Sequence, residues 1–400
     1  MEQWKEYKLG ELLNFRRGHD LPKSEMIAGD IPVAGSNGVI GFHNEATPIS
    51  PCITIGRSGN VGTANYYDKC WAHNTVLYID DFKDNNPEFL FYLLKTIPLK
   101  TFGGGSAVPT LNRNHIHPIV VKSTKDIELQ KKIVEILKSL DDKIELNRRI
   151  NDNLEQQAQA LFKSWFVDFE PFKDGEFVDS ELGMIPKGWR VGAIAEVTSN
   201  MISGDWGKES LTTNYSHKVF CIRGADIPDL KVGNRGKMPI RFILEKNFMN
   251  KRLNPDDLVI EISGGSPTQS TGRVCRISSE LISYYNKAII CTNFCKAISP
   301  IKGYSAYIYY LWDSLYKQGI MFLYENGTTG IKNLDVNGLL EKLQVIIPPE
   351  EIVLKFYDAI SKLSNKTLAN SIESAKLAHL RDTLLPRLMS GELKINDLNC

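Results

Sequence analysis

Five places in the sequence bring together residue types that could do chemistry, and each is better explained without it. Gly56-x2-Gly59-x2-Gly62 has the glycine content of a phosphate cradle, but it follows a β-branched run and leads into neither a helix nor a lysine. A hairpin turn is expected there. Gly204-Asp205-Trp206-Gly207-Lys208-Glu209-Ser210 misses P-loop spacing and carries Glu before Ser. Pro255-Asp256 with Glu261 hints at a nuclease metal site, yet Ser263 stands where such a site needs lysine, and Glu261 lies in an apolar run. His115 and His117 precede a strand and suit an edge or packing role. Cys291 and Cys295 are four apart with no second ligand pair, which favours core packing over zinc.

The chain has 400 residues, 42% apolar and 24% charged, enough for two or three cores. Nothing in this composition suggests disorder. No run of eighteen apolar residues is present, and Met1-Glu2-Gln3-Trp4-Lys5 does not start a signal peptide, so a cytoplasmic protein without membrane contact is the expectation. Seven cysteines, an odd number with no CxxC pair, fit reduced buried thiols. With a net charge of +1, any polyanion must be met by a local patch.

The elements that would position functional side chains are organised by a repeat. The apolar ladder Ile133, Leu137, Leu140, Ile144, Leu154, Leu161, Trp165 recurs as Phe356, Ile360, Leu363, Thr367, Leu377, Leu384, Leu388, always 223 positions later (356 minus 133, 388 minus 165). Such regularity implies duplication. Steps of four and three average 3.5 residues per turn, so the two copies should form long helices packed as a coiled coil. Each spans roughly forty residues, or about 60 Å, and would serve as a spacer or ruler. Asn147 and Asn151, with Asn370 and Ser374 as their equivalents, sit at seam positions and suit register-setting polar contacts. Pro386 replaces Lys163 in the second copy and should kink or end the helix there.

The duplication extends upstream. Gln3 to Leu12 matches Gly188 to Val197 at an offset of 185, which leaves about 38 extra residues (223 minus 185) in the second half. Both halves carry β-branched runs bounded by glycine: Cys52 to Ile55 and Thr75 to Ile79, then Leu258 to Ile262 and Ala288 to Ile290. A short helix follows each, Pro87 to Thr96 and Tyr304 to Tyr316, then a polar loop and a last strand, Ile116 to Val121 and Leu343 to Ile347. Ser123 with Asp126, and Pro348-Pro349-Glu350-Glu351, mark the starts of the long helices.

Several segments resemble one family. Trp-x4-Leu-Gly-Glu (Trp4 to Glu11), GSAVPTLN (Gly105 to Asn112), LFKSWFVDFEP (Leu161 to Pro171), GMIPKGW (Gly183 to Trp189) and LRDTLLPRLMSGEL (Leu380 to Leu393) look like the DNA-specificity subunit of type I restriction-modification enzymes, over nearly the whole chain. The resemblance implies an α+β protein with a pseudo-two-fold repeat. Two mostly-β target-recognition domains, 1–125 and 171–347, would be separated by two long antiparallel helices, 126–170 and 348–400 with the tail. It further implies a non-catalytic subunit that binds double-stranded DNA, recruits two methyltransferase subunits and, in a larger complex, joins restriction and translocase subunits. No cofactor is then expected in this chain, S-adenosylmethionine, ATP and Mg being used by the partners. No Asn-Pro-Pro-Tyr-like methylation motif, cofactor loop or helicase motif is seen. Antiparallel helices would set the recognition domains at opposite ends, facing the same way, so that each reads half of a bipartite, non-palindromic target with a fixed gap.

Readout of base edges needs Arg or Lys for guanine and Asn or Gln for adenine, with small polar groups on phosphate, all presented on loops. In the first domain the candidates are Arg16, Arg17, His19, Lys23, Ser36, Asn37, Arg57, Ser58, Asn60, His73, Asn74, Thr110, Asn112 and Arg113. In the second they are Trp206, Lys208, Arg223, Arg235, Lys237, Ser266, Thr268, Gln269, Arg273, Asn286, Lys287, Thr328 and Thr329. Phe162, Trp165, Phe166 and Phe169, and Leu384, Leu385, Leu388 and Met389, exceed what one seam can bury and are candidates for docking the methyltransferases; packing on the chain's own domains is the rival explanation. Two other functions fit less of the sequence: a self-contained site-specific nuclease or methyltransferase with degenerate motifs, and a coiled-coil adaptor with carbohydrate- or protein-binding domains.

Overall fold

The structure is a computed structural model that describes residues 4–103, 110–234, 236–264, 269–327 and 332–395. Two helices of 40 residues each, Ile127–Phe166 and Glu350–Met389, run where the ladders lie. The Asp126 carboxylate accepts from the Glu128 and Leu129 amides, both at 3.1 Å, and so caps the first. Glu350 and Glu351 place negative charge in the first turn of the second. The chain divides into two compact units, Met1–Ile144 with Ala375–Cys400, and Glu145–Ser374. This division cuts both long helices instead of falling at their ends.

In the second unit the helices meet through buried amides. Asn147 Nδ2 donates to Glu373 Oε2 (2.8 Å) and Ser374 Oγ (3.2 Å), while Asn151 Nδ2 donates to the Thr367 carbonyl (3.1 Å) and Ser371 Oγ (3.0 Å). Asn370 Nδ2 donates to Asn151 Oδ1 at 2.9 Å. Partner numbers fall as helix numbers rise, so the pair is antiparallel. Because 147 plus 223 is 370 and 151 plus 223 is 374, the Asn147–Ser374 and Asn151–Asn370 contacts are one contact made twice about a local two-fold axis. In the first unit the same two helices join through Arg381 Nη1 and Asp141 Oδ1 at 2.5 Å, with the Tyr92 hydroxyl on the other Asp141 oxygen at 2.7 Å.

The buried stripe departs from the ladder near Phe166. Phe162 and Phe166 are buried, whereas Leu161 and Trp165 are only partly so. A helix of 3.6 residues per turn slips against a 3.5 repeat, and the tyrosine-rich helix Tyr304–Lys317 packs on the slipped side, with Tyr307 4.8 Å from the Phe166 ring. This corrects the docking assignment. Phe162 and Phe166, and Leu385, Leu388 and Met389 in the first unit, lie in the chain's own cores, and Trp165, Phe169 and Leu384 pack partly against them. Burial of such side chains contributes about 1.5–3 kcal/mol each to folding. They do not form a free surface.

The two units are built on one topology. In the first, a four-stranded sheet has the order Asn14–Arg17, Val76–Asp81, Cys52–Gly56, Ala64–Tyr67; in the second the order is Thr198–Ser203, Cys295–Pro300, Leu258–Glu261, Val274–Arg276. Beside it, the hairpin Ile31–Gly35 and Gly38–His43 takes Trp71–Ala72 as a parallel neighbour, as the pair Tyr215–Ile222 and Ile240–Leu244 takes Ile289–Cys291. Lys5–Lys8 pairs with Val120–Ser123, and Arg190–Ala193 with Gln344–Ile347. The repeated glutamate of the opening motif acts locally. Glu11 accepts from the Lys8 amide (2.6 Å) and Glu196 from the Ala193 amide (2.7 Å), closing equivalent short turns.

Two local expectations change. Ile116 does not open a strand; it ends the short helix Arg113–Ile116, and the strand begins at Val120 after Pro118, which has no N–H to give a ladder. Pro386 lies inside the second long helix, which closes at Met389. Lacking an N–H, the proline cannot donate to the carbonyl four residues back, and the helix runs only three residues beyond it.

Replacing Asn151 by Leu strands the Asn370 amide in a buried seam. Chemical denaturation should show a loss of about 1–3 kcal/mol, with much of it recovered in the Asn151→Leu/Asn370→Leu double variant.

Candidate nucleic-acid interface

Loops at one end of the first unit's sheets are stitched together by backbone bonds. The His19 amide donates to the Ala72 carbonyl (2.8 Å), His73 to Ala34 (3.0 Å), Arg57 to Thr75 (2.8 Å) and Leu111 to Arg57 (2.7 Å). Thr75 Oγ accepts from the Ser36 amide (3.3 Å), and Ser58 forms a β-bridge with Thr110. Segments far apart in sequence thus present His19, Asn37, Arg57 to Asn60, His73, Asn74 and Thr110 together.

The second unit repeats this stitching. Asp205 donates to Cys291 (2.8 Å), Thr292 to Ile222 (2.9 Å), Ile262 to Phe294 (2.9 Å) and Leu334 to Ile262 (2.9 Å), while Ser263 pairs with Asn333. Leu111 and Leu334 keep the 223 offset (334 minus 111), as do Thr110 and Asn333 (333 minus 110). Glycine is required where the first loop crosses the opposing chain. A Cβ at Gly18 would lie 2.1 Å from the His73 carbonyl oxygen, and at Gly204 1.8 Å from that of Thr292.

The side chains on this frame differ between units. In the first, Arg16 and Arg17 are exposed on the entering strand, with Arg17 3.8 Å from Asp20. The Asn74 amide donates to Asp20, Arg57 Nη1 reaches the Asn74 carbonyl (3.5 Å), and Asn60 Oδ1 accepts from Thr63 Oγ1 (3.2 Å). His19 packs on Trp71 and Tyr78, 5.6 and 5.8 Å between centroids. His73 Nδ1 lies 3.1 Å from Thr75 Oγ1; burial pulls its imidazole below the usual value, against the pull of Asp20, so the ring is held toward its neutral form. Ser36 is buried, Lys23 is exposed in the turn Lys23–Glu25 outside the stitched loops, and Arg113 is exposed. Asn112 accepts from the Asn114 amide (3.0 Å) and caps a helix.

Several second-domain candidates are already engaged. Arg223 holds Asp226 through Nε and Nη2 (3.0 and 3.1 Å) and the Lys237 carbonyl (2.8 Å). Burial alone would raise the Asp226 carboxyl, but these bonds and the Arg223 and Lys237 amides keep it below its usual range. Arg273 makes a fork to Glu261 (2.7 and 2.6 Å), which gives that strand carboxylate its partner. Asn286 ends the helix Ser279–Tyr285 in the left-handed conformation. With Lys287 it precedes the strand Ile289–Cys291, whereas the stitched loop follows that strand, so both are corrected out of the cluster. Lys208 and Trp206 remain on the first loop, Lys208 with its ammonium 5.7 Å from the Tyr215 ring; Lys237 and Gln269 are exposed. Arg235, Ser266, Thr268, Thr328 and Thr329 lie outside the described residues.

Sequence reasoning missed Asn293, Phe294 and Asn333. Asn293 follows Thr292 as Asn74 follows His73, a shared Asn just past a parallel strand that single-residue chemistry does not single out. Of the paired histidines, His117 resolves as packing: its Nε2 accepts from the Phe15 amide (3.1 Å) and its ring stacks on Phe15, whereas His115 is exposed in the short helix Arg113–Ile116. Gly56 to Gly62 forms the hairpin joining Cys52–Gly56 to Ala64–Tyr67. Among the described residues no group of acidic, His and Cys side chains is arranged to hold a metal ion, and no helix is long and apolar enough to cross a membrane.

The frame and the sequence agree with known proteins. A family model for the type I restriction modification DNA specificity domain matches residues 1–156. Over 324 residues the chain is 32% identical to the type I restriction enzyme MjaIX specificity subunit of Methanocaldococcus jannaschii, covering 78% of this chain and 70% of that relative. It is 27% identical over 381 residues to the HindI specificity subunit of Haemophilus influenzae, covering 77% of each. In fold it is similar to the crystal structure of a type I restriction-modification S subunit from M. genitalium, with a TM-score of 0.58, 16% identity and 96% of each chain covered. The chain belongs to the family of type I restriction-modification specificity subunits. It is a DNA-recognition subunit, non-catalytic as such subunits are, with the enzymes of the complex in other chains.

Gly204→Ala should disturb the second loop cluster and leave the first intact. Hydrogen exchange should rise at the Asp205, Thr292 and Ile262 amides and stay unchanged at those of His19, His73 and Arg57.

Proposed function

We propose that each loop cluster reads one half of an asymmetric, bipartite duplex target, and that the length of the long helices sets the unread gap. The observation that carries this reading is a single backbone frame built twice with different side chains upon it: His19, Asp20 and Thr75 in one unit, Asp205, Trp206 and Phe294 in the other. Equal frames suit equal approaches to a duplex, and unequal side chains suit unequal base edges. Residues 1–125 and 171–347 would be the exchangeable recognition modules, with 126–170 and 348–400 the shared helical part. Arg16, Arg17, Asn37, Arg57, Ser58, Asn60, Asn74, Thr110 and Arg113, with Trp206, Lys208 and Lys237, are the described candidates for DNA contact.

Two methyltransferase subunits would dock on the exposed helix faces, where Leu146 and Leu380 are 48% and 45% exposed. S-adenosylmethionine, ATP and Mg would be used by those and by the restriction subunits. Exchange of residues 1–125 for the same segment of another family member should change one half of the methylated sequence, read by methylome sequencing of cells carrying the system. Alteration of both halves would refute modular reading. Insertion of one full turn into each long helix should lengthen the gap in the same assay, and an unchanged gap would reject the ruler.

A further inference from the structure

The two clusters differ most at two matched positions. Where Asp20 follows His19 in the first unit, Trp206 follows Asp205 in the second; where Thr75 accepts the stitch to Arg57, Phe294 accepts the stitch to Ile262. In the first unit both positions are polar and occupied, Asp20 by the Asn74 amide and Thr75 Oγ by Ser36 and His73. In the second both are aromatic and face solvent, Trp206 at 39% and Phe294 at 55% exposure. A single exposed aromatic is ordinary on a protein surface. Two at matched positions of one polar loop cluster are a patterned difference.

Trp206 is also braced from behind. The Arg241 guanidinium lies 3.6 Å from the indole centroid, itself 5% exposed and tied to Glu209 at 2.9 Å. This stack holds the indole flat and leaves its free surface outward. A wedge that enters between base pairs must protrude; a ring lying on its own support is suited to covering an apolar feature instead. On the edges of the major groove that feature is the thymine C5-methyl, the one apolar group among donors and acceptors.

We propose that Trp206 and Phe294 are specificity-determining residues that recognise thymine C5-methyl groups in the half-site read by the second cluster. Asn74 and its neighbours in the first cluster read their half by hydrogen bonds without this contribution. The inference rests on the recognition role proposed above and adds the class of base feature that one domain takes.

The test uses the complete complex of this chain with its methyltransferase subunits, on duplexes carrying the target found by methylome sequencing. Each thymine of both halves is replaced singly by uracil, which removes the methyl and keeps the base pair. Affinity should fall about fourfold, the equivalent of one buried methylene, at one or more thymines of the half assigned to residues 171–347, and stay level in the other half. In Phe294→Ser or Trp206→Leu the penalty at its thymine should vanish while discrimination in the first half is retained. Specific binding that is indifferent to uracil throughout that half, a half with no thymine, or a penalty unchanged in both variants would overturn the proposal alone. A complex with no sequence preference would sink the recognition reading as well. Uracil indifference accompanied by increased 2-aminopurine fluorescence at one step would assign the rings to wedging instead.

Discussion

A buried amide has no neutral option: in a low-dielectric seam it must find partners or cost the helix pair its stability. The side-chain Nδ2 groups of Asn147, Asn151 and Asn370 meet that demand only in one register, in which Asn147 lies opposite Ser374 and its repeat equivalent Asn370 lies opposite Asn151, the equivalent of Ser374. Apolar rungs would tolerate a slip of one turn along an antiparallel pair. The amides would not, since a slip strands all of them at once. Within the same unit, the strand Gln344–Ile347, which leads into the second helix, inherits that register.

A second constraint acts inside each unit. The Leu111 amide on the Arg57 carbonyl, and Leu334 on Ile262, tie the central hairpin to the segment that leads toward a long helix. Backbone bonds of this kind are indifferent to side-chain identity, so the frame persists while the residues on it diverge. This is a physical route to new specificity at small structural cost. Positions whose side chains are already engaged, such as Arg273 on Glu261, are closed to that divergence, because removing the arginine leaves a buried carboxylate without its partner. A position that lends only a backbone group to the frame, such as Phe294, is open to it.

Much of the fold was legible because it rests on periodic burial. The ladder located both long helices, and the short helix Pro87–Thr96 begins and ends where its proline, Asn86 cap and apolar spacing place it. The candidate site was legible only in part. Arg223, Arg273 and Asn286 have the right chemistry for base edges, yet the two arginines are bound to carboxylates and Asn286 forms a left-handed helix end. Phe162 and Phe166 look like a surplus of apolar surface along one helix until the helix Tyr304–Lys317 covers them. Asn293 carries no distinctive neighbours in the chain and gains meaning from its place beside the strand that Asn74 also follows.

The sequence by itself determined the duplication, the helical lengths, the polar seam positions and the family, because each is a matter of spacing along one chain. Only tertiary structure decided which polar side chains remain available, which aromatics face outward, and that two dissimilar loop sets share one backbone frame. Those outcomes depend on hydrogen bonds and burial between segments tens to hundreds of residues apart. Such pairings leave no local period to read.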